Sequence, residues 1–342
     1  MEFAVADEAA ALRDAADALL TARASTALIR SAWGAGPHAD VREVWRGLAD
    51  IGVTGALVPE AAGGLGLDEN ALVPVLERLG YSALPAPAVE TVAVAAPLLA
   101  AAGHPALPDV VSGAALITAH LGTAAAAGQL VPYLQTADYV LLRGDDDALR
   151  LYGRGDLDAE PVRAVDGSRQ LARLRTTPAG GTVVAIGADA AWQRGVLGTA
   201  ATLVGLAARM LSMTVEYVAS RRQFGVPVGS FQAVKHRLAD AYVAVEFARP
   251  AVLAAGWALA AAAADAAEQT SVAKVLASDA ATAVAAAALQ CHGAIGYTTE
   301  YDLHLFAKRT WALAPSWGSA SWHRRRLAAI LNLTSEVGVP HG

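Results

Sequence analysis

Apolar residues recur at three- and four-residue spacing in both end regions of the chain, which predicts helices there. Near the N-terminus the pattern covers Glu8 to Thr21 and Val41 to Ile51. It returns at Trp192 and continues to about Thr334. Breaks in this second helical region are expected at 224–230, 292–299 and 315–319. Alanine, the best intrinsic helix former, dominates two stretches of it, 251–267 and 271–289, so closely packed helices are predicted.

The middle of the chain has a different texture. Short runs of Val, Leu, Ile and Tyr (ALITAHL, ADYVLLRG, ALRLYG, GTVVAIG) alternate with Gly, Asp and Pro clusters. Such spacing predicts antiparallel strands in a small sheet or barrel. The fold class is therefore mainly α with a small β middle domain. We expect an N-terminal helical domain over 1–106, a reduced β-domain over 107–189 and a C-terminal helical bundle over 190–342.

Composition narrows the class of protein. Of 342 residues, 55% are hydrophobic and 17% charged, which indicates a folded globular chain. A formal charge of −6 offers no basic footprint for nucleic acid. The cluster Arg324–Arg326 is expected to be a solvated helix face, rather than a phosphate or CoA contact. The single cysteine, Cys291, excludes an intrachain disulfide and any CxxC metal or redox motif.

The N-terminal segment predicts no export. It carries acids within its first eight residues and lacks a basic region followed by an apolar core. The apolar runs elsewhere are interrupted by Pro87, Pro97 or Asp265 and are expected to fall short of the roughly 20 residues of a membrane span. A cytoplasmic protein outside the membrane is predicted.

Three sequence blocks carry a family resemblance. Residues 221–239 contain an RxxFG...FQ...LA pattern, residues 289–304 read LQCHGAIGYTTEYDLH, and Val58 to Gly66 form a VPExxGGxG run. Together with the helix–strand–helix order, they resemble the acyl-CoA dehydrogenase family. The resemblance implies a flavoprotein oxidoreductase of lipid metabolism that binds FAD and desaturates a CoA thioester between its α- and β-carbons.

The first block implies part of an FAD site. In the family, an Arg and an aromatic residue of one protomer hold the pyrophosphate and adenosine of the FAD whose ring lies in the neighbouring protomer. The resemblance gives that role to Arg221, with Gln223 and Phe224 as further contacts. The planar donor fork of a guanidinium suits phosphate oxygens. A lone arginine would more commonly form a surface ion pair, but the complete motif favours the phosphate role.

The second block implies further cofactor contacts. Gln290, Gly293 and Ala294 stand where the family uses a Gln and two glycines to let the dinucleotide approach the backbone. Ala294 departs from that pattern. His292 matches a common form of the motif, and its residue type leaves a packed histidine and a ligand contact equally open.

The resemblance also implies that a catalytic residue is missing. The reaction needs a carboxylate that removes the α-proton while the β-hydride passes to the flavin. The family carries this acid in a Tyr-Glu-Gly-Thr turn, where this chain has Ser-Trp-Gly-Ser, so Trp317 takes the acid's position. Other members place the base at the position of Gly195, followed by an arginine where this chain has Val196. We therefore predict no catalytic base, and no metal site, in this chain.

The middle domain points the same way. Family members carry a Thr-Glu-Pro type strand that contacts the flavin ring, and Ala115 to Thr123 lacks it. The half-site for ring and substrate is thus degraded, while the half-site that reaches a neighbour's FAD persists. This resembles the non-catalytic subunit of actinobacterial α2β2 acyl-CoA dehydrogenases that act on steroid side-chain thioesters. A homologous catalytic subunit would then supply the base and most of the acyl-CoA site.

Two alternatives stay open at this point. One is a self-sufficient homotetrameric acyl-CoA dehydrogenase whose base is Glu216, Glu300 or Asp302. Carboxylates in turns and on helix faces are usually solvated, which disfavours it. The other is a flavin-free scaffold subunit, which would have no use for the phosphate-binding fork of Arg221.

Overall fold

The computed structural model describes residues 6–34 and 38–333. Its N-terminal part contains six α-helices: α1 Asp7–Arg23, α2 Thr26–Ser31, α3 Ala39–Asp50, α4 Glu69–Ser82, α5 Ala96–Ala102 and α6 Leu107–Val111. A π-helical segment, Val89–Ala95, leads directly into α5 and is buried along its whole length. The two helices predicted from N-terminal periodicity are confirmed as α1 and α3.

Local sequence explains these helices. The apolar positions of α3 form one buried face that includes Val44, Trp45 and Leu48. Helix α4 begins after Asp68, whose carboxylate accepts a hydrogen bond from the backbone N–H of Ala71 at 2.9 Å. This side chain satisfies a donor that the first turn leaves unpaired, which stabilises the helix by about 1 kcal/mol.

The middle region forms two small sheets. Its strands are β1 Ile117–His120, β2 Leu130–Val131, β3 Tyr139–Arg143, β4 Ala148–Gly153, β5 Ala159–Pro161, β6 Ala172–Leu174 and β7 Thr182–Ile186. One sheet has the order β1-β3-β4-β7 and the other β2-β6-β5. A second, smaller apolar core that includes Leu134, Leu142 and Leu174 lies in this region.

One part of the strand prediction was wrong. Strands β1 and β3 pair in parallel, with Ile117 opposite Tyr139, whereas all other pairs are antiparallel. The chain between them first contributes β2 to the other sheet. This detour makes the crossover long enough for a parallel pair, which a tight hairpin cannot provide.

The C-terminal region is a helical bundle. Its helices are α7 Asp189–Ser220, α8 Gln232–Ala260, α9 Ala266–His292, α10 Leu303–Leu313 and α11 Ala320–Ile330. A short hairpin of β8 Arg222–Gln223 and β9 Val226–Pro227 joins α7 to α8. Helices α7, α8 and α9 pack on one another, and α7 also packs against α4. The predicted breaks fall between these helices, and the predicted residue 334 lies outside the described part.

The continuous helix predicted over 251–267 was wrong. Helix α8 ends at Ala260, Ala262 adopts a left-handed φ of +47°, and α9 begins at Ala266. Alanine favours helix at every position of this stretch, so propensity contains no signal for the reversal. The reversal brings α8 back against α9, and packing of the two helices favours it.

The expectation about apolar length was also wrong. By length and composition alone, three helices could cross a membrane: Asp189–Ser220, Gln232–Ala260 and Ala266–Tyr297. In the first and third, 72% and 67% of the most apolar stretch is buried inside the protein, against 33% in the second. Abundant alanine gives these helices their apolar character. Of the three, α8 has the largest exposed share.

A buried ion pair ties α10 to the β-region. Arg309 is 4% exposed and Asp166 is 1% exposed. The Arg309 guanidinium donates to the Asp166 carboxylate, to the Ser168 hydroxyl and to the backbone carbonyl of Leu84. These bonds link the loop before β6, the C-terminal bundle and the N-terminal region at a single point.

Candidate functional site

The first group of predicted cofactor residues lies on the β8–β9 hairpin. Arg221 ends α7, with its backbone N–H donating to the carbonyl of Tyr217 at 2.8 Å. Gln223 pairs with Val226 in the hairpin. Phe224 occupies the turn with a φ of +52°, and its side chain is 93% exposed. A positive φ is uncommon for a non-glycine residue, and the ring of Phe224 contacts that of Phe231 edge-on at 6.3 Å while most of its surface faces solvent.

The guanidinium of Arg221 is exposed and makes no ion pair among the described residues. An unpaired cation next to an outward-facing aromatic ring is suited to an anion and a flat ring on another molecule. The hairpin therefore fits the pyrophosphate and adenosine of FAD.

The second group lies at the C-terminal end of α9. Gln290, Gly293 and Ala294 line a groove of about 600 Å³, together with Arg237 of α8 and Tyr297. Gly293 has a φ of +65°, and a Cβ atom there would meet nothing within 4 Å. The backbone is thus open to close approach, as a diphosphate requires. Ala294 is exposed and leaves the groove open in spite of its methyl group.

The structure does not bring the two groups into one pocket of this protomer. Arg221, Gln223 and Phe224 do not line the α9 groove. Arg237 does, and sequence analysis missed it. Its charge is part of a basic run, Lys235 to Arg237, but only the packing of α8 on α9 selects this residue for the groove.

His292 is a packed residue. It is buried, its Nδ1 lies 2.8 Å from the carbonyl oxygen of Ala288, and its ring stacks on Tyr217 at 4.3 Å. Burial lowers the pKa of His292, with an opposing contribution from that backbone hydrogen bond. These contacts favour packing over the ligand contact that the sequence left open.

The two positions expected for a base meet in space. A Cβ atom at Gly195 of α7 would lie 2.4 Å from the indole ring of Trp317. The same indole packs against Trp192 with a centroid distance of 5.3 Å, and Trp322 adds a third ring at 6.0 Å from Trp192. Indole has one N–H donor and accepts no proton. The indole of Trp317 therefore occupies the space that a side chain at position 195 would need.

Two buried side chains hold Trp317 in place. Lys274 of α9 donates from its Nζ to the carbonyl oxygens of Ala314 at 2.7 Å and Gly318 at 3.0 Å. Nε2 of His323 lies 2.9 Å from the carbonyl oxygen of Trp317. Burial lowers the pKa of His323 to about 4, so the neutral ring donates to that carbonyl. These anchors stabilise a tryptophan backbone with a φ of +56°, a strained region for a bulky residue.

We expect the free energy of unfolding to rise with pH because of the buried side chain of Lys274. Burial lowers the pKa of Lys274 from 10.5 to about 7. Between these values the unfolded chain binds a proton that the folded chain does not, so the free energy of unfolding increases as the pH rises. The urea midpoint at about pH 9.5 should therefore exceed that at about pH 7 by more in the wild type than in Lys274→Met. Equal pH slopes in the two proteins would contradict this.

A carboxylate missed by the sequence lies in the same cleft. Glu90 of the π-helical segment lines a cavity of about 530 Å³, together with His120 of β1, Arg169 and Trp317. Glu90 is 5% exposed, and burial raises its pKa, with Arg169 opposing. A π-helical segment often marks a functional site. The surrounding alternation of alanine and valine is typical of core and hides this position.

The three carboxylates named as alternative bases lie elsewhere. Glu216 is exposed on α7 and accepts a hydrogen bond from Ser212 at 3.1 Å. Glu300 is exposed in the loop before α10, and Asp302 forms an ion pair with Arg30 at 2.6 Å. None of them lines the cleft that contains Trp317.

Comparison with known proteins identifies the family. Residues 6–111 match the N-terminal domain of acyl-CoA dehydrogenases, and residues 180–331 match the C-terminal domain. The chain is 34% identical over 343 residues to the acyl-CoA dehydrogenase IpdE2 of Mycobacterium tuberculosis, a match that covers 97% of this chain and 98% of that protein. The chain therefore belongs to the acyl-CoA dehydrogenase family.

Solved structures agree with this assignment. The ChsE4-ChsE5 complex from M. tuberculosis contains a chain that superposes with a TM-score of 0.86 at 27% identity, covering 98% of this chain and 100% of that one. A variant of the Tcur3481-Tcur3483 steroid ACAD superposes with a TM-score of 0.83 at 27% identity, with coverage of 96% and 98%. Both similarities extend over all three regions of the fold.

Proposed function

We propose that this chain is the non-catalytic subunit of a heteromeric, FAD-dependent acyl-CoA dehydrogenase. It completes the FAD site of a homologous catalytic subunit and supplies no base of its own. The observation that carries the proposal is the contact between Trp317 and Gly195, the two positions at which the family resemblance leads us to expect a carboxylate. The chemistry would then belong to the partner.

The outward-facing residues support the cofactor role. Arg221 would hold the pyrophosphate, Phe224 and Gln223 the adenosine side, and the α9 groove with Gln290 and Gly293 a further stretch of the dinucleotide. When bound, FAD accepts the hydride from the β-carbon of the acyl thioester. The residues of this chain would bind and orient the cofactor from across the interface.

Exposed apolar surface supports a partner chain. Helix α8 carries Tyr242, Val243 and Phe247 at 56%, 49% and 71% exposure, and Phe224 precedes them on the hairpin. Large exposed apolar side chains grouped on one helix commonly mark protein interaction sites. One similar solved structure is the ChsE4-ChsE5 complex, and another is a variant of the Tcur3481-Tcur3483 steroid ACAD. These similarities favour a heteromer, cytoplasmic in our proposal, that acts on a steroid-derived CoA thioester held mainly by the partner.

Glu90 supports a second candidate, a self-sufficient dehydrogenase. It is a buried carboxyl in the cleft that Trp317 lines, and burial raises its pKa toward the range of a general base. In this case Glu90 would remove the α-proton, and the proposed subunit role would fall. The indole of Trp317, which borders the cleft and lies against Gly195, disfavours this candidate, and flavin reduction distinguishes the two.

Replacing Arg221 should empty the cofactor site of the complex. Arg221→Ala removes a charge-assisted contact worth about 1.5–3 kcal/mol, so FAD should bind roughly 10- to 100-fold more weakly. The chain is co-expressed with a homologous catalytic acyl-CoA dehydrogenase subunit, and the flavin-to-protein ratio is measured after gel filtration. Arg325→Ala, which removes an exposed arginine on α11, should leave the ratio unchanged.

The same preparation tests the other candidates. The chain purified alone should contain little flavin, because residues 115–123 lack the Thr-Glu-Pro type strand that contacts the flavin ring in the family. A colourless wild-type complex would favour the flavin-free scaffold. A yellow homotetramer of this chain alone, bleached by an acyl-CoA, would favour the self-sufficient enzyme. Unchanged flavin occupancy in the Arg221→Ala complex would remove this residue from the site.

A further inference from the structure

The cleft beside Trp317 contains polar groups that the proposed subunit role does not use. Glu90 comes from the π-helical segment, His120 from the end of β1, and Arg169 from the loop before β6. Three separate elements thus direct polar side chains into one cavity of about 530 Å³. This volume lies within the range of small-molecule sites, and convergent polar groups in an otherwise apolar pocket are typical of such sites.

Glu90 is the strongest sign of a ligand. Its side chain is more than nine-tenths buried, and it makes no hydrogen bond to another side chain among the described residues. A buried carboxyl whose hydrogen bonding is limited to the backbone is costly to maintain for the fold alone. Because burial raises its pKa, the protonated form, which can donate a hydrogen bond, is favoured.

Arg169 adds a second unsatisfied donor. Its Nη1 donates to the carbonyl oxygen of Ala312 at 3.0 Å, whereas its Nε is buried without a partner. Burial raises the pKa of Glu90, and the positive charge of Arg169 opposes this rise. Burial lowers the pKa of His120, and the charge of Arg169 lowers it further. The three polar groups therefore lie within electrostatic reach of one another.

Donors dominate this end of the cleft. The guanidinium of Arg169 has an N–H without a partner, and its charge calls for an anion. The carboxyl of Glu90, whose pKa burial raises, can donate to the same acceptor when protonated. A dianionic phosphate suits the cleft less well, because it would lie next to the carboxyl of Glu90 and would lose its hydration in an apolar pocket. A carboxylate carries a single charge, accepts hydrogen bonds from both groups, and matches the planar fork of arginine.

The remaining walls are apolar. Leu121, Leu130, Leu171 and Trp192 line the cleft away from the polar end. They suit a compact hydrocarbon body rather than a second polar group. Trp317 narrows the side of the cleft at which a thioester would meet a base.

We propose that this cleft binds a compact monocarboxylate of its own, whose carboxylate is held by Arg169 and Glu90 and whose hydrocarbon body lies against the leucines and Trp192. The site is distinct from the exposed FAD half-site on the hairpin and α9. It does not depend on the subunit role, because cofactor occupancy and carboxylate affinity are separate measurements.

Binding is tested with the full chain, alone and in the co-expressed complex. The probe is cyclohexanecarboxylate, and cyclohexylmethanol is the matched uncharged probe. Trp192 and Trp317 line the cleft, so tryptophan fluorescence reports occupancy directly. The wild type should bind the carboxylate with saturation below about 10 mM and at least about tenfold more tightly than the alcohol.

Variants locate the site. Arg169→Met should weaken the carboxylate about 10- to 100-fold and leave the alcohol unchanged, since only the charge-assisted bond is lost. Glu90→Gln keeps a neutral donor and should retain binding within about threefold. Arg163→Met, an exposed arginine six residues earlier, is the matched control and should change nothing.

Three outcomes would overturn the proposal. They are no saturable fluorescence change with the carboxylate up to about 10 mM, equal wild-type affinity for acid and alcohol, and undiminished carboxylate binding in a folded Arg169→Met chain. The comparison of acid with alcohol uses the wild type and keeps the test decisive even if a variant fails to fold.

Discussion

Trp317→Glu is expected to produce no reduction of flavin by an acyl-CoA, in spite of placing a carboxylate where the family carries its base. A base accelerates the reaction only when substrate and flavin ring are held at near-attack geometry. In this chain Trp192 and Trp322 remain beside the new side chain. No Thr-Glu-Pro type strand lies beside the cleft to contact a flavin ring. The carboxylate would therefore face no oriented α-proton.

The measurement is single-turnover flavin absorbance in the complex, with the base of the catalytic subunit removed. Any reduction must then come from the introduced carboxylate. Trp317→Gln is the matched control, because glutamine has the same shape as glutamate and cannot act as a base. Turnover by Trp317→Glu but not by Trp317→Gln would show a competent site that merely lost its base. Turnover with Trp317 intact that disappears in Glu90→Gln would identify Glu90 as the base.

Arg309→Met should cost about 3–5 kcal/mol of stability, because it leaves the buried Asp166 carboxylate without its partner. The variant also removes donors to Ser168 and to the carbonyl of Leu84, so three regions of the fold lose a shared anchor. Urea unfolding at constant pH measures the effect as a shift of the midpoint with an unchanged slope.

An exposed ion pair provides the control. Arg324 and Asp279 form an ion pair with half-exposed side chains, at 54% and 48%, so Arg324→Met should cost less than about 1 kcal/mol. The double variant of Arg309→Met with Asp166→Leu should recover part of the loss, since no unpaired charge stays buried. A loss in Arg309→Met no larger than in Arg324→Met would show that the buried pair contributes little.

Local pattern predicted the helices well where apolar spacing and breakers agreed. Periodicity located α1 and α3, and breaks that contain glycine or proline separated α7 from α8, α9 from α10 and α10 from α11. It failed at the turn between α8 and α9, where alanine gives the same helical propensity on both sides of the reversal. It failed also for the pairing of β1 with β3, because strand direction depends on the path of the chain between them.

The residues of the candidate site also fall into those that the sequence predicted and those that it missed. The motif around Arg221 and the block around Gly293 were visible as residue types at characteristic spacing, and their role in binding FAD stays a prediction. Arg237 and Glu90 were not visible. Neither is one of the residues that carry the family motifs. Arg237 lines the groove because α8 packs on α9, and Glu90 lines the cleft because the π-helical segment packs against β1 and α7.

The sequence by itself determined the family and the helical and strand content, and it predicts that Trp317 stands in place of an acid, since these depend on residue identity and local spacing. Only the tertiary structure decided that Trp317 lies against Gly195, that Lys274 and His323 hold it there, and that Glu90 and Arg169 share a cleft with it. The physical reason is that local propensity acts over a few residues. Burial, charge pairing and cavity shape arise when elements distant in sequence exclude water from a common volume.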